Sequence, residues 1–145
     1  MVQYPLKFAV SVESPAGIQA PWTTKAEAVA QNLTAAIPPE FSGPGGGYSP
    51  EDFYALAVSN CFVATFKVFA EKSRLSFESV KVQSVLEVDR DEKGAPWMAR
   101  ITLNVSLVKP SSQENAQRIL EKVKTGCLVL NSIRTEKIFN FQILD

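Results

Sequence analysis

Two cysteines are the residues of this chain whose type could carry covalent chemistry. Cys61 lies in "SPEDFYALAVSNCFVATF", residues 49–66, and Cys127 in "TGCLVLN". A thiolate is a nucleophile, and once oxidised to a sulfenic acid it condenses with a second thiol to form a disulfide. The competing reading of each cysteine is packing, because a free buried cysteine behaves as a small hydrophobe. The pair is too far apart in sequence for a CxxC redox motif, and two thiols alone cannot make a four-cysteine zinc site. Ser59 and Asn60, polar residues beside Cys61 in an otherwise apolar stretch, mark a helix interface or a site. Cys127 stands at a helix-terminus junction, where the following turn could offer backbone N–H groups to a thiolate. Glu51 reads as helix-end electrostatics.

The chain has no histidine. That excludes Ser-His-Asp and Cys-His catalysis, histidine-ligated metals and a histidine acid/base. No GxGxxG or Walker-type loop is present, since "GPGGGYSPED" lacks the Lys-Ser/Thr of a phosphate loop. Fifteen basic and fifteen acidic residues give zero formal charge, without the broad positive field of most nucleic-acid binders. No apolar run is expected to reach the roughly 20 residues that cross a bilayer, and the N-terminus lacks signal-peptide features. The expectation is a soluble cytoplasmic protein with no metal, no organic cofactor, and neither nucleic acid nor membrane as partner.

The elements that must position these residues follow from patterning. Residues 4–12 alternate as a strand, with Phe8, Val10 and Val12 on one face. "IQAPWTT" could be a short edge strand, and "KAEAVAQNLTAAI" reads as helix or, over "NLTAAI", as strand. "PPEFSGPGGG" is a Pro/Gly loop. Ser49 as N-cap, Pro50 at the first helical position, and Glu51 and Asp52 against the dipole open a helix running to about Lys72. It is apolar nearly all round, which predicts burial on every side and a dimer that sandwiches it. Phe53, Tyr54, Phe62 and Phe66 could line an apolar pocket, with core packing the weightier role. "FESVKVQSVLEVD", with a bulge near Ser84, and "WMARITLNVSLV" form a hairpin over "RDEKGAP". A second helix covers "SSQENAQRILEKVKTG", capped by Ser111 or Ser112, striped by Ala116, Ile119, Leu120 and Val123, and ended by Gly126. "CLVLNSI" is a helical turn and "KIFNFQIL" a closing strand. The order predicts one α+β domain over residues 1–145 with a mostly antiparallel sheet.

Over essentially the whole chain, the element order and "GPGGGYSPEDFYALAVSNCF" resemble the OsmC/Ohr family of thiol-dependent hydroperoxide reductases. In that family a Gly-rich loop leads to an (Asn/Ser)-Pro-Glu helix start, with the reactive cysteine about ten residues on. Here those positions are Ser49, Pro50, Glu51 and Cys61. "CLVLN" is similar to the second signature, Cys-Pro-x-Ser-Asn, retaining Cys127 and Asn131, with Leu128 and Leu130 in place of its Pro and Ser. The resemblance implies an OsmC-like α+β fold, antiparallel sheets around long central helices, in an intertwined homodimer. It implies a peroxidase in which Cys61 attacks hydrogen peroxide or an organic hydroperoxide, Cys127 resolves the sulfenic acid, and a dithiol reduces the Cys61–Cys127 disulfide. It also implies a catalytic glutamate at Glu51, paired in the family with an N-terminal arginine. This chain departs there: its first arginine is Arg74, and Lys25 or Arg134 would have to stand in. Glu51 precedes Cys61 by about ten positions, roughly 15 Å along a straight helix, so the two cannot touch within it, and service to Cys61 would require a broken helix, a partner chain or a linking cation. The alternative is a non-catalytic OsmC-like protein binding a lipid-like or aromatic small molecule.

Overall fold

The computed structural model describes residues 1–145, which divide into two compact units, Met1–Phe53 and Tyr54–Asp145. The first unit is built on a three-stranded antiparallel sheet in the order β1 (Val10–Glu13), β2 (Trp22–Ala26), β3 (Leu33–Ala35). β1 is shorter than the alternation over 4–12 predicts. Its side chains, with Phe8 before it, are exposed rather than packed: alternation marks a face, and nothing in the chain covers this one. β2 takes the place expected of the edge strand but is the central strand, starting at Trp22 after Pro21. The Ala-rich segment after it forms a turn and then strand β3, so the strand reading of "NLTAAI" holds over Leu33–Ala35. The Pro/Gly loop crosses back closely enough for the Tyr48 amide to donate to Thr34 O at 2.9 Å and the Ala36 amide to Tyr48 O at 3.0 Å. A Cβ on Gly43 would collide with the backbone of Ile37, which is the physical reason for glycine there.

Helix α1 (Pro50–Lys72) begins in this unit. Ser49 Oγ accepts from the Asp52 amide at 3.0 Å and Asp52 Oδ2 accepts from the Ser49 amide at 2.9 Å, a reciprocal cap of two orphan donors. The rest of α1 belongs to the second unit. There its buried residues are Val58, Phe62, Phe66 and Ala70, an i, i+4, i+8, i+12 stripe, while Leu56 and Val68 are exposed. Within the single chain, α1 is thus buried along one face. The helix is also long and apolar enough to cross a membrane by length and composition, which corrects the expectation that no such run exists. Its buried stripe nonetheless packs into a protein core.

The second sheet orders β4 (Ser79–Arg90), β5 (Pro96–Val108) and β6 (Glu136–Leu144). β4 and β5 form the expected antiparallel hairpin, closed by an Asp91 turn with Gly94 in the left-handed region at φ 83°. Its bulge falls at Glu87/Val88 rather than near Ser84. β6 pairs parallel to β5, from Arg100↔Glu136 to Val108↔Leu144, so this sheet is half antiparallel, half parallel. A parallel partner requires a crossover, supplied by α2 (Gln113–Gly126), capped by Ser112 Oγ on the Asn115 amide. The inward residues of β5, Ile101, Leu103, Val105 and Leu107, meet the α1 stripe and the predicted α2 stripe of Ala116, Ile119, Leu120 and Val123 in one core. Each large apolar side chain so buried contributes about 1.5–3 kcal/mol of transfer free energy, which fixes how α1 and α2 face each other.

Candidate active site: a thiol pair

Cys61, Thr65 and Phe69 are spaced i, i+4, i+8 on α1, so they lie on one line along the helix. α2 ends against this line. At Gly126 the backbone comes so near the Phe69 ring that a Cβ would stand 2.7 Å from its Cζ and 2.9 Å from its Cε2, with the Thr65 methyl 4.0 Å away. Gly126 ends α2 as expected, but its requirement is space rather than a left-handed backbone. Cys127 follows in extended conformation (φ −83°, ψ 122°), its amide still bonded to Val123 O at 3.1 Å. The chain then closes the predicted helical turn: the Asn131 amide donates to Cys127 O and the Ser132 amide to Val129 O, both at 3.0 Å. Asn131 Nδ2 donates to Thr125 O at 3.0 Å and Ser132 Oγ to Leu128 O at 2.8 Å, pinning the turn to the end of α2.

The first amides of a helical turn have no partner within it. Here the Val129 N–H points at Cys61 Sγ, 3.5 Å away. Thr65 Oγ1 lies 3.9 Å from the same sulfur, and the Cys127 thiol is within hydrogen-bonding reach of it. Both thiols are free; Cys61 is half-buried and Cys127 fully buried. Burial pushes the Cys61 thiol up. The Cys127 thiol, the Val129 N–H, the Thr65 hydroxyl and the Leu128 N–H together outweigh that, and its pKa lies below the ordinary thiol value. Burial drives Cys127 the other way, its bond to Cys61 adds to the rise, and the Leu130 and Val129 amides only soften it. Its pKa is pushed up to about 11. Two sites that share a proton titrate as a pair: the first charge settles on Cys61 and the proton stays on Cys127. The arrangement separates an accessible nucleophile from a protonated partner.

The donors that lower the Cys61 pKa are the Cys127 thiol, the Val129 and Leu128 amides and the Thr65 hydroxyl. Arg134 lies over the Trp97 ring, 5.8 Å from the centroid, and Lys25 lies on β2 in the first unit. The structure thus brings Cys61 and Cys127 together, whereas Glu51 stands in the first turn of α1, in the N-terminal unit. Glu51 is not needed for the cap, which Asp52 closes, and its Oε2 is buried without a hydrogen-bond partner. Ser59 bonds Ala55 O and Ser84 Oγ, and Asn60 bonds Leu56 O; these are helix and interface bonds outside the site. Phe62 and Phe66 are core, Phe53 stacks on Tyr48, and Tyr54 is hydrogen-bonded to Thr135. The sequence pattern singles out neither Thr65 nor Val129. Thr65 carried a signal, one helical turn after Cys61. The Val129 donor is a backbone group that its side chain does not announce.

Comparison with known proteins follows the same outline. The family model described as OsmC-like protein matches residues 43–141. An uncharacterized protein of Bacillus subtilis, YmaD, is 27% identical over 103 residues, 68% of each chain. An OsmC-like protein of unknown function from Vibrio cholerae superposes with a TM-score of 0.84 at 17% identity, covering 95% of this chain and 100% of that one. An organic hydroperoxide resistance protein OsmC from Legionella pneumophila gives 0.75 at 18% identity, covering 99% and 100%. The organic hydroperoxide resistance protein OhrB of Bacillus subtilis gives 0.68 at 17% identity, covering 94% and 98%. At these identities the superpositions show the shared α+β fold.

Proposed function

The chain belongs to the OsmC-like protein family, and from that premise we propose that it is a thiol-dependent peroxidase acting on organic hydroperoxides or hydrogen peroxide. The observation that carries the reading is the Val129 amide aimed at Cys61 Sγ with the Cys127 thiol beside it. The Cys61 thiolate attacks the outer oxygen of ROOH. The O–O bond breaks, RO⁻ leaves and takes a proton to become ROH, and Cys61 becomes a sulfenic acid. The Cys127 sulfur then displaces hydroxide from that sulfenic acid. The Cys127 proton and the hydroxide leave as water, and a Cys61–Cys127 disulfide remains. A dithiol reductant returns two electrons and two protons. Keeping Cys127 protonated until this step is consistent with its raised pKa, since one negative charge is then concentrated on the attacking sulfur.

Glu51 enters this reading as a supporting residue, because its buried, unpaired carboxylate oxygen calls for a donor. A homodimer in the cytoplasm is the proposed working state: Phe8, Val10 and Val12 leave an apolar face exposed on the first unit of a kind that a second copy would cover. The test is direct. Reduced protein is mixed with cumene hydroperoxide, free thiols are counted, and the product is mapped by mass spectrometry. Loss of two thiols per chain with a Cys61–Cys127 disulfide is expected. Unchanged thiols, or peroxide consumption that survives Cys61→Ser, would overturn the proposal.

A further inference from the structure

We propose that Gly126 is a positioning residue that sets the acidity of Cys61 by letting the end of α2 close onto Phe69. The inference deepens the peroxidase reading and rests on the same thiol pair. A Cβ at Gly126 would stand 2.7 and 2.9 Å from the edge of the Phe69 ring, closer than real Cβ contacts come. The Lys122 ammonium lies 4.9 Å from the centroid of the same ring, which belongs to the packed core margin. A methyl group there must therefore push the backbone of Gly126 away from α1 or displace the ring. Cys127 is the next residue, and the amides of Leu128 and Val129 follow without slack, because Asn131 and Ser132 pin this turn to Cys127 O, Thr125 O and Leu128 O. Moving Gly126 outward carries the turn with it and lengthens the 3.5 Å contact from the Val129 amide to Cys61 Sγ. The same displacement withdraws the Cys127 thiol. One missing methyl group thus holds both the donors that charge Cys61 and the thiol that would resolve it.

The experiment reads acidity rather than turnover, so it stands apart from the peroxidase reading: a chain that consumes no peroxide can still pass it. Iodoacetamide alkylation of Cys61 in the full-length reduced protein is followed across pH by mass spectrometry of the Cys61 peptide. Gly126→Ala is expected to move the half-point upward by about one pH unit, the scale of losing one donor to a thiolate. Phe69→Leu, which removes the ring edge facing Gly126, is expected to leave the half-point unchanged alone and to restore it when combined with Gly126→Ala. Purely global loosening would not be cured by shortening a second packed side chain. Phe69→Trp enlarges the contact from the α1 side, and the same upward shift is expected from it; it carries the test should Gly126→Ala fail to fold. A parent-like half-point in folded Gly126→Ala or Phe69→Trp, or a double variant that stays shifted, overturns the proposal.

Discussion

Replacing Val129 by proline deletes the amide hydrogen aimed at Cys61 and exchanges one apolar side chain at the core margin for another of similar size. Val129 sits at φ −68° in the first turn after α2, close to the angle a proline ring imposes, and its N–H bonds no backbone acceptor. The substitution therefore removes the donor 3.5 Å from Cys61 Sγ while keeping the fold of the turn. A hydrogen bond to a charged group contributes about 1.5–3 kcal/mol. The length of this one and the half-exposed sulfur put it just below that range, at about 1.4 kcal/mol, or about one unit in the Cys61 pKa. Below that pKa the thiolate fraction falls about tenfold. The more basic thiolate is also a better nucleophile, by about 0.4–0.5 log units per unit of pKa, so the net rate falls about threefold. Above the pKa, where the sulfur is fully ionised, the variant should react about threefold faster. Iodoacetamide alkylation of Cys61 between about pH 6 and 10 should thus give two curves that cross, with folding checked by circular dichroism. A single superimposed curve from folded Val129→Pro would refute the claim that the amide holds this thiolate.

Other outcomes follow from the same packing. Cys127, raised to about 11 in the fold, contributes stability that is fully present below its unfolded value of about 8.5 and is lost as pH rises through the folded value. Urea midpoints should fall between about pH 8 and 11, and fall less steeply in Cys127→Ala. Cys61, lowered instead, contributes stability present above the ordinary thiol pKa and lost as pH falls through its own folded value. Leu120→Ala, at a fully buried α2 position, should cost about 2–5 kcal/mol and lower Tm by about 10 °C, read by thermal melts.

Much of the second unit is legible in the sequence because its signals are local. Ser112 and the stripe through Ala116, Ile119, Leu120 and Val123 specify α2, and Ser49-Pro50 specifies the start of α1. Alternation alone does not distinguish parallel from antiparallel pairing, so the direction of β6 beside β5 emerges only once α2 is seen as its crossover. Phe8, Val10 and Val12 show the limit of the same signal: a periodic apolar face states what could be buried and not what covers it. The site divides along the same line. Cys61 and Cys127 are visible as residue types, and the turn after Cys127 announces free amides. Which sulfur receives them depends on the close packing of Gly126 on Phe69, a tertiary fact that sequence reading takes for a simple helix stop. Lys25 and Arg134 are cations by type alone, whereas the groups that lower the Cys61 pKa are two peptide amides, a hydroxyl and a thiol.

A sulfur activated by peptide dipoles has a different character from one activated by a guanidinium or ammonium. The Val129 and Leu128 amides have no ionisable proton to lose, so alkaline solution can switch off only the Cys127 thiol among the donors, and no acetylation or methylation of a side chain can mask the amides. Mobile ions screen them weakly at this range, because each carries no net charge. The reactivity of Cys61 should consequently vary little with salt, and the exposed Leu128 is free to become almost any residue but proline without altering it.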